Sequence, residues 1–145
     1  PMAMLPFCGY NMGYYFRHWL NMGKSMAKAP KIFHVNWFRT DSKGKFMWPG
    51  FTENLRVLEW IIDRCNNKLE AYKTPIGYVP YPADIDMTGL SLSEGVLEKL
   101  LEVSPADWSE ELKGIKKFFN EFKSDLPEEL WQEYDNLQKR LKENG

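Results

Sequence analysis

An aromatic and basic segment in the first third of the sequence has the residue types and spacing that could do chemistry. Five aromatic side chains fall within positions 37–51 and basic side chains lie between them: Trp37, Phe38, Phe46, Trp48 and Phe51, with Arg39, Lys43 and Lys45. Aromatic faces stack on planar rings, each stack contributes about 1–3 kcal/mol, and cations attract phosphate groups. The segment therefore indicates a site for a flat base beside a phosphate. The alternative is an aromatic-rich hairpin core.

The distribution of charge favours the same part of the chain. The first 50 residues carry a formal charge of +6, the remaining residues carry −7, and the total is −1. Positive charge raises the local concentration of anions, so we expect any anionic partner to meet the first third. The alternative is a surface that is polarised without a ligand.

The sequence contains no recognisable catalytic or metal-binding constellation. His18 and His34 are the only histidines, both lie among apolar neighbours, and we expect each to be packed. Cys8 and Cys65 lack CxxC spacing, so we expect two reduced, packed thiols. The string 23–25 (Gly-Lys-Ser) is not a phosphate loop, because the required glycine is absent five residues earlier. We therefore predict no catalytic residue and no metal ligand.

The elements that would position the aromatic segment can be read from hydrophobic periodicity. Apolar spacing predicts a helix over 10–23 that is buried on most sides. A buried strand over 32–38 and a second strand over 45–48, joined by turn residues 41–44, predict a hairpin. An amphipathic helix follows over 51–66, so its N-terminus lies directly after the hairpin.

The rest of the chain is predicted to be loops and helices. Residues 70–90 indicate a short extended segment with loops. A capping box over 91–94 predicts the start of a helix. Two further helices, opened by Ser104-Pro105 and by Pro127, are expected to form an antiparallel pair.

Length and composition bound the class of protein. With 145 residues, of which 15% are aromatic, the chain can form one globular domain with a real core. We expect no membrane anchor and no secretory signal, hence an intracellular protein. The apolar run 1–8 has no polar lead-in, so we expect the sequence to be cut from a longer chain.

Several ordered blocks of the sequence resemble the C-terminal part of GTP-dependent phosphoenolpyruvate carboxykinase. They are residues 6–13, 18–20, 31–39, 46–51, 53–54, 56–60 and 74–78, and the resemblance extends collinearly through the helical tail. It implies an α/β fold: the C-terminal piece of a mononucleotide-binding, kinase-like domain. Here that piece would be helix-rich, with a β-hairpin and a C-terminal antiparallel helix pair. Within one domain over 1–145, the guanine-pocket region would be 1–90 and the helical tail 91–145.

The resemblance also implies an activity for a longer parent protein. Such an enzyme is a lyase that decarboxylates oxaloacetate with GTP, giving phosphoenolpyruvate, CO₂ and GDP in gluconeogenesis. The resemblance implies Mn²⁺ and Mg²⁺ as metals, held by residues outside this chain, which alone would be inactive. It further implies a cytoplasmic monomer that acts on small molecules and binds neither nucleic acid nor membrane.

The guanine pocket is the part of that enzyme that the resemblance assigns to this chain. It implies that Phe38 and Phe51 sandwich the base, with Phe46 nearby and Trp37 as an adjacent wall. The stretch that contacts the base edge would consist of Phe51, Thr52, Glu53 and Asn54.

Physical reasoning leaves three points about this pocket open. The Asn54 amide can pair with guanine, but a flipped amide could pair with adenine. Thr52 stands where the family commonly has glycine, so we expect strain if the backbone there needs glycine. A four-residue loop over 41–44 would also place Phe38 and Phe46 on opposite faces of the hairpin.

Two interpretations that assign the chain to other classes of function remain. The first is a stand-alone module that binds single-stranded nucleic acid or a nucleotide through the aromatic and basic side chains of the segment, without catalysis. The second is a purely structural role in which the helices after Ser91 form a packing surface without a ligand.

Overall fold

The computed structural model describes residues 2–143, and their contacts divide into two units. The helical unit comprises the residues up to Pro30 together with those from Ser104 onward. The middle unit comprises Lys31–Val103 and contains the aromatic segment. No helix among residues 2–143 has both the length and the apolar character needed to cross a bilayer.

The helical unit contains a 3₁₀ helix over Met2–Phe7 and three longer helices: α1 (Met12–Ser25), α4 (Pro105–Asn120) and α5 (Glu128–Glu143). Helix α4 begins as predicted, because the Ser104 side chain accepts the backbone N–H of Asp107 at 3.3 Å and Pro105 occupies the first turn. A further 3₁₀ turn, Lys123–Asp125, precedes α5.

Helices α4 and α5 form the predicted antiparallel pair. The end of α4 meets the start of α5 through the rings of Phe119 and Trp131, whose centroids are 5.4 Å apart. The first half of α4 meets the end of α5 at a shared cleft, which Ser109, Leu112 and Leu141 line. Opposite ends therefore face each other along the pair.

The prediction that α1 is buried on most sides is wrong. Only Met12, Gly13 and Phe16 of this helix are buried, and Phe16 packs edge-on against Phe122 with centroids 5.5 Å apart. Of the other apolar side chains of α1, Tyr15 and Leu20 are half-buried, whereas Tyr14, Trp19 and Met22 are exposed. Within the helical unit, packing reaches α1 mainly at its first turns, and residues 21–25 at its end are exposed.

The middle unit contains α2 (Asn54–Cys65), strands β1 (Tyr72–Thr74) and β2 (Gly77–Val79), and α3 (Val96–Leu101). A 3₁₀ turn precedes α2 at Phe51–Glu53, and another lies at Pro82–Asp84. Strands β1 and β2 form an antiparallel hairpin in which Tyr72 pairs with Val79. The short extended segment predicted within 70–90 is thus confirmed.

The hairpin predicted from strands 32–38 and 45–48 is wrong. Residues 31–36 form no regular strand, and the described part of this region has one isolated bridge, between Thr40 and Phe46. A strand needs a neighbour for its backbone N–H and C=O groups, and here the Asn36 side chain instead accepts the Phe38 N–H at 2.9 Å. This local turn ends the extended run before it can pair.

The capping box predicted over 91–94 does not form. Helix α3 begins only at Val96, after Gly95 with φ of +77°, and no side chain caps its start. The left-handed glycine directs the chain into the helix at this later point.

Both histidines are exposed, contrary to the prediction that they are packed, because His18 lies in the uncovered part of α1 and His34 in the unpaired segment. Both cysteines are free thiols; Cys8 packs against the helical core as predicted, whereas Cys65 is exposed.

Candidate functional site

An open groove of about 510 Å³ lies in the middle unit where the bridge 40–46 is followed by the start of α2. Five of the predicted site residues line it: Trp37, Phe38, Phe46, Phe51 and Asn54. The other lining residues are Lys45, Trp48, Pro49 and Gly50. The groove therefore assembles most of the predicted pocket within one unit.

Three phenylalanines of the groove are largely exposed. Phe38 is 71% exposed, Phe46 is 58% exposed and Phe51 is 92% exposed. The interpretation of the segment as an aromatic core is therefore wrong for these three rings. Large apolar side chains grouped on a surface typically mark a binding site, because their faces remain free to pack against a ligand.

The loop beneath the groove brings Phe38 and Phe46 to the same side. Because Thr40 is bridged to Phe46, the connecting loop is five residues long (41–45), one more than predicted. This register keeps residues 38, 40 and 46 on one face, and the centroids of the Phe38 and Phe46 rings are 6.0 Å apart. The expectation that the two rings lie on opposite faces is corrected.

Asp41 holds this loop in place. Its Oδ1 accepts the backbone N–H of Lys43 at 2.8 Å and that of Lys45 at 3.0 Å, and Gly44 adopts the left-handed φ of +79° that closes the turn. The hydrogen bonds from the Lys45 and Lys43 backbones favour the charged carboxylate and lower the pKa of Asp41 below its ordinary value of 3.8.

This lowered pKa predicts the acid sensitivity of the loop. The carboxylate bonds are present above pH 3.8 and are lost as the pH falls through the lower pKa of the folded state. We expect the Lys45 amide proton, followed by NMR during an acid titration of the chain, to shift with a midpoint below 3.8. Asp41→Asn should abolish this shift. A midpoint at or above 3.8 would contradict the assignment.

The start of α2 forms the other side of the groove. Gly50 has φ of +107°, a conformation that favours glycine, and the chain then enters the turn Phe51–Glu53. Thr52 lies inside this turn and does not have a positive φ, so the expected backbone strain at Thr52 is absent. The glycine that the backbone requires here is Gly50.

Asn54 is fixed by a second groove residue. Trp48 is buried, and its Nε1 donates to the Asn54 Oδ1 at 2.9 Å. Trp48 and Lys45 belong to the aromatic and basic segment but were not assigned to the guanine pocket, and Pro49 and Gly50 were not predicted as site residues at all. Their proximity to Phe46 and Phe51 in the sequence is the signal that could have found them, since a tight turn brings its own residues together.

The side chains of Thr52 and Glu53 do not line the groove. The Glu53 carboxylate is paired with Arg56, with 2.6 Å between Oε2 and Nε, and the Thr52 hydroxyl donates to the other carboxylate oxygen at 3.4 Å. Arg56 also donates to the backbone carbonyls of Asp86 at 2.6 Å and Thr88 at 3.0 Å. This network anchors the first turn of α2 to the loop 86–88.

The basic side chains of the segment have different surroundings. The Arg39 guanidinium donates to the carbonyls of Leu100 at 3.1 Å and Glu102 at 3.2 Å. It therefore supplies hydrogen bonds to backbone carbonyls at the end of α3. Lys45 lines the groove. Across residues 2–143, no three His, Cys, Asp or Glu side chains are grouped so as to hold a metal ion.

Comparison with known proteins places these features in context. The family model described as "Phosphoenolpyruvate carboxykinase C-terminal P-loop domain" matches residues 1–140. Among similar curated proteins are three named "Phosphoenolpyruvate carboxykinase [GTP]". The protein from Thermoplasma volcanium is 48% identical over 141 residues, which cover 97% of this chain and 23% of the relative.

The other two relatives show similar coverage. The protein from Chlamydia trachomatis is 46% identical over 143 residues, covering 98% of this chain and 24% of the relative. The protein from Neocallimastix frontalis is 50% identical over 145 residues, with coverage of 98% and 24%. The chain thus spans about a quarter of the length of these curated relatives.

Proposed function

The chain belongs to the GTP-dependent phosphoenolpyruvate carboxykinase family, and from this premise we propose that it supplies the guanine-binding pocket of a longer enzyme. That enzyme is a carboxy-lyase that converts oxaloacetate and GTP to phosphoenolpyruvate, CO₂ and GDP. In this proposal Phe38 and Phe51 stack on the base, with Phe46 beside them and Trp37 as a wall. The 51–54 stretch faces the base edge.

The observation that carries the proposal is the set of exposed phenylalanine rings around one open groove. Phe51, which is 92% exposed, stands at the first turn leading into α2. Burying its face against a purine would remove apolar surface from water and add a stacking interaction of about 1–3 kcal/mol. Backbone N–H groups at the start of a helix are free to donate to the polar atoms of a ligand.

The chain contributes binding and orientation of the nucleotide rather than bond cleavage. Holding the base at one end of GTP limits the positions that its phosphates can reach, which favours a productive geometry elsewhere in the enzyme. Lys45, at the groove, is placed to attract the anionic part of the nucleotide. The donor groups of residues 2–143 do not fit a metal site, so we assign the ligands of Mn²⁺ and Mg²⁺ to other parts of the enzyme.

The remaining assignments belong to the same proposal. We assign the chain to the C-terminal piece of a kinase-like α/β domain, with 1–90 as the pocket region and 91–145 as the helical tail. We also assign the enzyme a cytoplasmic location, a monomeric state and a role in gluconeogenesis. A stand-alone nucleic-acid module is not favoured, because relatives match almost the whole chain and Arg39 is engaged at the end of α3.

The nucleotide preference of the full-length enzyme tests this function. We expect decarboxylation of oxaloacetate to proceed with GTP and ITP at much higher kcat/KM than with ATP. The physical reason is that a site built to hydrogen-bond one base edge leaves its polar groups unpaired against another. A preference for ATP would contradict the assignment of a guanine pocket.

A further inference from the structure

The hydrogen bond between Trp48 and Asn54 bears on how one base is distinguished from another. An indole N–H can only donate, so the atom of the Asn54 amide that faces it at 2.9 Å must be the oxygen. Oxygen and nitrogen occupy the two branches of one planar amide. Fixing the oxygen at Trp48 therefore leaves the NH₂ group as the half that is available to a ligand in the groove.

This arrangement resolves the ambiguity of the asparagine. The amide of Asn54 could pair with either purine if it were free to flip. Guanine has an acceptor, O6, at the position where adenine has an amino group that donates. An amide held with its NH₂ outward matches guanine and presents a donor to a donor in adenine.

We infer that Trp48 is a specificity-determining positioning residue, which selects guanine over adenine by holding the Asn54 amide in one orientation. This inference rests on the proposed function. Two features of Trp48 support it: the side chain is only 6% exposed, so its ring is held by packing, and it lines the same groove as Asn54. The Asn54 backbone is also held, because its N–H donates to the Phe51 carbonyl at the start of α2.

The test is Trp48→Phe in the full-length enzyme, which keeps an aromatic ring and removes the donor. We expect the ratio of kcat/KM for GTP to that for ATP to fall roughly tenfold, because the freed amide can turn its oxygen toward adenine. Much of the change should be a gain with ATP, and ITP should behave like GTP since it retains O6. The KM for oxaloacetate should stay the same.

Trp60→Phe is the matched control. Trp60 is a second buried tryptophan of the middle unit, 5% exposed, and its Nε1 has no hydrogen-bond partner among the described residues. Its replacement should leave the GTP to ATP ratio unchanged, even if stability falls. If the GTP to ATP ratio of Trp60→Phe fell as far as that of Trp48→Phe, the change would be a packing effect and the inference would be overturned.

Two further outcomes separate the inference from the function on which it rests. If the unsubstituted enzyme prefers GTP and Trp48→Phe retains the full preference, the inference is overturned while the guanine pocket stands. If Trp48→Phe weakens GTP and ATP equally, Trp48 is a structural residue only, and the inference is again overturned. An unsubstituted enzyme that prefers ATP would overturn the proposed function itself.

Discussion

Replacing Phe51 by alanine in the full-length enzyme is expected to raise the KM for GTP by roughly 5- to 150-fold, equivalent to the loss of one base–aromatic stack of about 1–3 kcal/mol. The KM for oxaloacetate should change little, and kcat at saturating GTP should be retained. This pattern is expected when a substitution removes binding that is equal in the ground state and the transition state. Steady-state kinetics with each substrate varied in turn would measure it.

Because Phe51 is exposed, this experiment can separate a loss of GTP binding from a loss of folding. A side chain that is 92% exposed contributes little to the core, so its truncation should not unfold the middle unit. Phe7→Ala, which removes another exposed phenylalanine outside the groove, is the matched control and should not alter the KM for GTP. If Phe51→Ala raised the KM for GTP and the KM for oxaloacetate equally, this would indicate a folding defect and contradict the stacking role.

The parts of the fold that depend on local sequence could be predicted. Helices α4 and α2 follow from apolar spacing, and the start of α4 follows from Ser104 and Pro105, because caps and periodicity act within a few residues. The same locality explains why the aromatic segment could be predicted as a candidate site. Its rings come from one short stretch, so a tight turn suffices to assemble them.

The parts that depend on distant neighbours could not be predicted. β-branched and aromatic residues favour a strand over 32–38, but strand formation requires a partner, and the pattern does not indicate whether one is adjacent. The apolar residues of α1 likewise indicate that this helix favours burial, but they do not indicate which part of the protein packs against it. A shift of one residue in a loop also decides which face a ring occupies, which is why the relation between Phe38 and Phe46 required coordinates.

Asp125 and α1 meet through contacts that a sequence pattern does not reveal. The Asn11 Nδ2 donates to the Asp125 carboxylate at 2.8 Å, while the Asn11 Oδ1 accepts the Gly13 N–H at 2.8 Å. Arg17 donates to the Asp125 backbone carbonyl at 3.4 Å. Gly13 lies directly beneath that carbonyl, so the start of α1 and the turn before α5 approach each other closely because position 13 has no side chain.

Gly13→Ala is therefore expected to destabilise the chain by about 1–3 kcal/mol, because the added Cβ would overlap the Asp125 carbonyl oxygen and lie 2.7 Å from its carbon. These are backbone atoms, and moving them would disturb the hydrogen bonds around Asn11. Gly23→Ala in the same helix is the control: its Cβ would meet nothing within 4 Å, so helix propensity should raise stability by about 0.5–1 kcal/mol. Urea unfolding of both variants would measure the difference. If Gly13→Ala were as stable as Gly23→Ala, the close approach of α1 to Asp125 would be wrong.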